Sequence, residues 1–170
     1  MKIIDNCIPL EQQKLIIHEL LETKYFPWFY CDDITNQSSK SSQQRPGFSH
    51  YFVKDKKQSS NYWDIASLII APFTNKPVIQ CRSFLQLSLN LKLIGSKFDS
   101  PHIDLPTPHT VYLYYVIDAD GDTLLLKNSK IIKRVSPKQG RLLIFNGSIM
   151  HAARQPKKGV RCIINFDVLK

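Results

Sequence analysis

The second half of the chain is a succession of short segments that have the pattern of β-strands. In the second half of residues 78–93 apolar and polar residues alternate, which is the period-two pattern of a strand with one buried face. Turn sequences such as Asp118–Gly121 and Pro137–Gly140 separate the segments that follow. These further predicted strands are Thr110–Ile117, Thr123–Leu126, Lys130–Val135, Arg141–Phe145, Ile149–Ala153 and Val160–Leu169. Many short strands at even spacing predict a β-sandwich or a jelly-roll barrel.

The first half of the chain has a mixed pattern. Apolar residues recur at helical spacing over Leu10–Lys24, and a second helix is predicted near Asn61–Pro72. Phe48–Val53 is a predicted strand. The Ser- and Gln-rich segment Asn36–Gly47 is a predicted mobile loop, for which a plain surface insertion is favoured over a lid that covers a site. We therefore expect an α+β, mainly β fold in which residues 1–77 form a helical buttress and 78–170 the β core of one domain.

Composition excludes several classes of protein. The longest apolar runs are too short to span a bilayer, and the first residues lack the shape of a signal peptide. The four cysteines include no CxxC pair, so a zinc-finger site is not expected, and Cys81 and Cys162 lie in predicted strands as small core residues. Together these features predict a reduced, cytoplasmic protein with no membrane partner.

Positive charge is concentrated in the second half of the chain. The formal net charge is +9, and no acidic residue occurs between Thr123 and Phe166. That stretch holds ten basic residues: Lys127, Lys130, Lys133, Arg134, Lys138, Arg141, Arg154, Lys157, Lys158 and Arg161. Such a field attracts a small dicarboxylate, phosphate or nucleic acid, although a solvated basic face is the simplest interpretation of charge alone.

Three residues form a candidate metal site. In the sequence His102-Ile103-Asp104 the imidazole and the carboxylate share one face of an extended segment. With His151 they form a two-histidine, one-carboxylate set, which is typical of non-haem Fe(II) and which zinc also accepts. Arg161, at the start of the last predicted strand, could hold a carboxylate bidentately near the metal, and this favours iron over a peptidase-type zinc site.

This set of residues resembles the H-x-D…H…R signature of the 2-oxoglutarate- and Fe(II)-dependent oxygenases, and most closely the prolyl-4-hydroxylase-like branch. The order and spacing fit from about Arg82 to Phe166. Supporting similarities lie in Tyr114–Ile117, Asp120–Leu124, Pro137–Phe145 and Val160–Phe166. Two positions depart from the family pattern: Ile117 stands where an Asn is common, and Gly121-Asp122 where Gly-Gly is common.

The resemblance implies a double-stranded β-helix, a jelly-roll or cupin-like barrel, that binds Fe(II), 2-oxoglutarate and dioxygen, with ascorbate as an optional reductant. His102, Asp104 and His151 would hold the metal. Arg161 would bind the C5 carboxylate of 2-oxoglutarate with the hydroxyl of Tyr115, and Asn90 is a weaker candidate for the C1 carboxylate. The implied reaction is hydroxylation of a substrate coupled to decarboxylation of 2-oxoglutarate to succinate.

Other functions stay open at this point. The basic second half could make the chain a nucleic-acid-binding module, or an oxygenase that acts on nucleic acid. A zinc hydrolase on a cupin-like barrel is a further alternative. The substrate is not predicted: a peptide, a free amino acid, a nucleobase and a small metabolite all fit, and the oligomeric state is equally open.

Overall fold

The computed structural model describes residues 1–34, 45–88 and 98–170. Within these residues the chain forms mainly β-strands, with two α-helices in the first half. The strands are β1 Lys2–Ile4, β2 Phe29–Cys31, β3 Gly47–Lys54, β4 Lys57–Gln58, β5 Val78–Leu87, β6 His109–Tyr115, β7 Thr123–Lys127, β8 Lys130–Val135, β9 Leu142–Asn146, β10 Met150–Ala153 and β11 Val160–Leu169.

The helices are shorter than their sequence patterns predict. Helix α1 spans Leu10–Ile17 and continues into a π-helical turn, His18–Glu22, rather than running on as α-helix to Lys24. The turn ends where Thr23 becomes extended and its N–H bonds back to the carbonyl of His18. Helix α2 spans Trp63–Ile70, inside the predicted range. Neither helix, in the part of the chain that the structure describes, is long and apolar enough to cross a membrane.

The strands form two antiparallel sheets. The large sheet has the order β1-β9-β6-β11-β5-β3-β2, with β4 paired to β3, and the small sheet has the order β10-β7-β8. Two bridges, Phe98 with Arg154 and His102 with His151, place the segment before β6 beside β10. The two sheets pack face to face, because one buried cluster contains Leu113 and Ile163 of the large sheet together with Leu125 of the small one. This arrangement confirms the predicted mainly β barrel.

Strand β11 is buried on both of its faces. Cys162, Ile164, Phe166 and Val168 face a core that the helices complete through residues such as Ile16 and Ile69. The alternate residues of β11 face the interior between the sheets, as Ile163 does. Burying a large apolar side chain contributes about 1.5–3 kcal/mol, so the outer core fixes β11 firmly while leaving its inner face for polar residues.

The predicted strands of the second half agree closely with the observed ones. The bounds of β8 and β11 are those predicted, and β6, β7, β9 and β10 differ by one or two residues at their ends. Cys81 and Cys162 are buried, as expected. Strand β1 was not predicted, because three residues are too few to show a periodicity. Most of the predicted loop Asn36–Gly47 lies outside the described residues.

Candidate active site

The two histidines of the predicted metal set are brought together by the backbone. His102 and His151 form an isolated antiparallel bridge in which each N–H donates to the other residue's carbonyl at 2.9 Å. The centroids of their rings lie 4.6 Å apart. Residues opposite each other across such a bridge project to the same side, so both imidazoles reach the same point in the barrel.

The carboxylate of Asp104 completes a cluster with the two imidazoles. Its Oδ2 lies 3.3 Å from Nε2 of His151 and its Oδ1 lies 3.8 Å from Nε2 of His102. One potential ligand atom from each of the three residues lies within 4.8 Å of the others. Two imidazole nitrogens and one carboxylate oxygen at this separation are a donor set that suits Fe(II) and leaves further coordination positions open.

Hydrogen bonds from the opposite ring nitrogens orient both imidazoles. Nδ1 of His102 lies 3.0 Å from the carbonyl of Ser100, and Nδ1 of His151 lies 3.3 Å from the carbonyl of Ile149. Because a carbonyl can only accept, each Nδ1 carries a proton, and in the neutral imidazole each Nε2 then has a lone pair directed at the cluster. This is the arrangement that a metal-binding histidine requires.

Protonation of the cluster follows from burial and from its neighbours. Burial by itself raises the pKa of Asp104, but His151, His102 and Arg82 outweigh it and hold that pKa well below its ordinary value. Burial lowers the pKa of His102, and the nearby His151 lowers it further. Burial also opposes the charged form of His151, but Asp104 raises the net pKa of that group. Asp104 is therefore ionised and able to bind a cation.

Arg161 lies on the inner face of β11 and is almost fully buried. Its Nε donates to the carbonyl of Gly121 at 2.9 Å, one terminal nitrogen makes a short hydrogen bond to Oε1 of Gln86, and the other donates to the hydroxyl of Thr123 at 2.8 Å. These three bonds use three of the five guanidinium N–H groups and fix its plane. Two N–H groups are left for another acceptor.

Tyr115 contacts both Arg161 and the threonine that bonds to it. Its hydroxyl donates to Oγ1 of Thr123 at 2.7 Å, and its ring lies 5.7 Å from the guanidinium carbon of Arg161. Tyr115 is fully buried, whereas Thr123 lines the cavity. Tyr115 is thus linked to the cavity lining through Thr123, and its own contact with 2-oxoglutarate stays a prediction. The other predicted contact, Asn90, lies outside the described residues.

A cavity of about 310 Å³ connects the cluster of His102, Asp104 and His151 with Arg161. It is lined by His102, Asp104, His151, Thr123 and Arg161, and also by residues that the sequence did not single out. The latter include Ile34, Arg82, Phe84, Gln86, Asp99 and Asn165. A volume of this size suits a small organic ligand.

Asp99 organises a buried polar network at the Arg161 end of the cavity. Gln155 donates to its Oδ1 at 2.6 Å, Gln86 donates to its Oδ2 at 3.1 Å, and Arg45 lies 3.2 Å from Oδ1. Burial raises the pKa of Asp99 to about 6 despite these partners. Because Gln86 also accepts from Arg161, the network sets the position of the guanidinium. Its members are far apart in the sequence, and no motif there identifies them.

A second buried pair lies behind Asp104. Nε2 of His109 lies 3.6 Å from Oδ1 of Asp167, both side chains are almost fully buried, and burial raises the pKa of Asp167. Asn165, two residues earlier on β11, donates to Oδ2 of Asp104 at 3.3 Å. Asn165 thus holds the carboxylate toward the two imidazoles. His18 and His50 lie outside the cavity, where they contact Glu22 and Ser60.

The ten basic residues do not form one surface. Arg161 is buried in the cavity, and Lys138 and Arg141 pair with Asp5. Lys127, Lys130, Lys133 and Arg134 are exposed on the β7–β8 hairpin. The charge pattern of the sequence therefore divides between a buried arginine in the cavity and a solvated hairpin, which weakens the argument for a nucleic-acid-binding face.

Comparison with known proteins gives a consistent fold. No protein-family model matches the chain, and no curated protein matches it in sequence. Solved structures do match. An oxidoreductase of the 2OG-Fe(II) oxygenase family from Burkholderia pseudomallei superposes with a TM-score of 0.75 at 10% identity, over 97% of this chain and 83% of that one.

Two prolyl hydroxylases are also similar. The enzyme from Trichoplax adhaerens, solved with a peptide fragment of hypoxia inducible factor, has a TM-score of 0.67 at 14% identity, over 98% of this chain and 82% of that one. A prolyl-4-hydroxylase from Pseudomonas putida has a TM-score of 0.63 at 11% identity, over 99% of this chain and 92% of that one. The chain therefore has the double-stranded β-helix fold of the 2-oxoglutarate-dependent oxygenases, as the sequence resemblance predicts.

Proposed function

We propose that this protein is a non-haem Fe(II)- and 2-oxoglutarate-dependent dioxygenase that hydroxylates a small-molecule or peptide substrate. One observation carries the proposal: His102, Asp104 and His151 converge in the same cavity that holds the buried guanidinium of Arg161. A metal set alone is compatible with several chemistries. A metal set beside a buried cation is suited to a cosubstrate that chelates the metal at one end and is a carboxylate at the other.

The residues present fit Fe(II). The two Nε2 lone pairs and the ionised Asp104 supply three ligands without closing the coordination sphere, and no cysteine lies in the cluster. When bound, Fe(II) supplies the activation of dioxygen that couples decarboxylation of 2-oxoglutarate to oxidation of the substrate. His102, Asp104 and His151 hold the metal, and Asn165 keeps the carboxylate of Asp104 in place.

The other end of the cavity suits the distal carboxylate of 2-oxoglutarate. Arg161 keeps two N–H groups available, and Thr123 adds a hydroxyl beside it. Tyr115 and Gln86 fix the positions of these two groups, so the site is preorganised before the ligand enters. Apolar side chains between the two ends, such as Phe84 and Ile163, limit the access of water. A direct contact from Asn90 to the C1 carboxylate stays a prediction.

The zinc hydrolase alternative has less support. Within the described part of the chain, Asp99 and Asp104 are the acidic residues that line the cavity. Asp104 belongs to the metal cluster, and Asp99 is held by Gln86 and Gln155. Neither is placed as a free carboxylate base for a metal-bound water. For the location of the protein we propose the cytoplasm, since all four cysteines are free thiols.

The proposed function is tested by the formation of succinate from 2-oxoglutarate in the presence of Fe(II), ascorbate and dioxygen. We expect slow turnover without a substrate, and none above background for His151→Ala. The matched control is His18→Ala, since His18 is exposed and pairs with Glu22. Binding of 2-oxoglutarate to the Mn(II)-loaded protein under argon is measured in parallel, because uncoupled turnover can be slow. Equal turnover in the wild type and in His151→Ala would refute the proposal.

A further inference from the structure

Arg82 lies in the cavity at the metal end. It is on β5, on the same face as Phe84 and Gln86, and its backbone pairs with Asn165 on β11. Residues two apart on a strand share a face, so this face of β5 carries an arginine near the metal cluster and a glutamine at the Arg161 end. Nothing in the metal and cosubstrate site requires a cation at this position.

The guanidinium of Arg82 packs against two aromatic rings and has no close polar partner among the described residues. Its carbon lies 4.8 Å from the ring centre of Phe84 and 5.4 Å from that of Tyr51. Its nearest polar contacts are long: 3.4 Å to the hydroxyl of Tyr51 and 3.8 Å to Oδ1 of Asp104. Its buried Nε has no hydrogen-bond partner among the described residues. The side chain of Arg82 is 14% exposed, and a largely desolvated guanidinium with this much unused donor capacity is costly unless an acceptor binds to it.

The charges in the cavity point to an anion. Asp104 faces Arg82, but a divalent cation held by the cluster would take the charge of Asp104 and leave Arg82 beside a second cation. The distal carboxylate of 2-oxoglutarate would bind at Arg161, which pairs with Gln86 on β5. Gln86 is four residues from Arg82, or about 13 Å at the rise of a strand, so this carboxylate is too far away to neutralise Arg82. Of the other acids, Asp99 is engaged by Gln86 and Gln155, and Asp167 accepts a hydrogen bond from Gln80 at 3.1 Å and lies 3.6 Å from His109.

We propose that Arg82 binds a carboxylate of the substrate, so that the enzyme acts on a carboxylate-bearing small molecule whose apolar part lies against Phe84 and Ile103. This inference rests on the proposed function and names the substrate class of the same site. The guanidinium offers two parallel N–H donors in a fixed plane, which matches a planar carboxylate. Phe84 and Ile103 line the cavity beside it and are suited to a ring or an alkyl chain.

The test compares phenylacetate with its neutral analogue phenylacetamide as probes. Binding of each is measured by calorimetry under argon to the protein loaded with Mn(II) and 2-oxoglutarate. We expect the wild type to bind phenylacetate more than tenfold tighter than phenylacetamide, and Arg82→Gln to lose that preference. Arg82→Lys keeps the positive charge but not the two parallel N–H donors, so it should keep part of the preference for phenylacetate. Arg134→Gln, on the exposed β7–β8 hairpin, is the matched control and should behave as the wild type.

The outcomes separate this inference from the proposed function. Failure of 2-oxoglutarate to bind the wild type counts against the proposed function itself. If 2-oxoglutarate binds but the two probes bind equally, or neither binds at millimolar concentration, the role of Arg82 is overturned. A preference that survives in Arg82→Gln would mean that phenylacetate binds the metal directly, and this also overturns it. The Kd of 2-oxoglutarate, measured in each variant, reports whether the cavity is still folded.

Discussion

Nε2 of His151 lies 3.3 Å from Oδ2 of Asp104, and the same carboxylate oxygen accepts a hydrogen bond from Asn165. Asp104 therefore has one partner on β10 and another on β11, which belong to different sheets. The cluster of His102, Asp104 and His151 therefore lies between the two sheets, and the distances within it depend on how the sheets pack against each other.

Removing one imidazole should weaken metal binding. His102→Ala leaves His151 and Asp104 as the remaining ligands of the cluster, and loss of a ligand should cost at least the ~10- to 100-fold that is usual for loss of an outer-sphere partner. Mn(II) affinity measured by electron paramagnetic resonance checks this. His18→Ala, an exposed histidine on the π-helical turn, should leave the affinity unchanged. Unaltered Mn(II) binding in His102→Ala would count against the assigned ligands.

Replacing the guanidinium of Arg161 by the ammonium group of lysine should weaken binding of 2-oxoglutarate. Removing one partner of a buried charge pair costs roughly 2–5 kcal/mol, and Lys, which keeps the charge but not the fixed fork of donors, should lose part of that amount. We expect Arg161→Lys to raise the Kd for 2-oxoglutarate with little effect on Mn(II) affinity, both measured by calorimetry. Arg134→Lys serves as the control. A Kd within twofold of the wild type would show that the distal carboxylate binds elsewhere.

Gly121 has no room for a side chain. A Cβ at this position would lie 2.4 Å from the carbonyl oxygen of Arg154 and 3.2 Å from Cδ of Arg161. Because the obstacle is mainly backbone, Gly121→Ala should lower the free energy of unfolding by about 1–3 kcal/mol and should also weaken 2-oxoglutarate binding. Urea denaturation gives the first quantity and calorimetry the second. At Gly159 no atom lies within 4 Å and φ is positive, so Gly159→Asn should cost less.

A surface ion pair should make stability depend on pH in acid. Arg141 donates to both carboxylate oxygens of Asp5, at 2.6 and 3.1 Å, and this hydrogen bonding lowers the pKa of Asp5 to about 2. The folded pKa is below the unfolded one, so the pair stabilises the protein above about pH 4 and the effect is lost as the pH falls through 2.

Asp5→Asn should therefore lower the free energy of unfolding by up to about 1 kcal/mol at neutral pH, since the pair is exposed. The difference from the wild type should shrink as the pH is lowered from 4 to 2. Urea denaturation at several pH values measures it. Asp55→Asn is the control, because Asp55 is exposed in a turn with positive φ that Asn tolerates. A difference that is constant with pH would show that Asp5 acts through another contact.

The sequence predicts the strands and the metal set better than it predicts the surroundings of the site. His102 and Asp104 are two apart on an extended segment, so their common direction is a local property. The bridge that joins His102 to His151 is a tertiary contact, which only the resemblance to a family indicates. The two-residue period of a strand places Arg82 on the same face as Phe84, but the sequence does not show which face lines the cavity. The network around Asp99 depends on contacts between distant segments and has no local signal.

Strand β11 lies between β5 and β6, and those two strands pair with it rather than with each other. Strand β11 carries both Arg161 and Asn165. When it pairs with β5 and β6, the large sheet becomes continuous and a residue is placed at each end of the cavity at the same time. Pairings this distant along the chain form late and slowly during folding. We expect a newly made molecule to complete this cavity only in the final stage of folding, when β11 pairs with both of its neighbours.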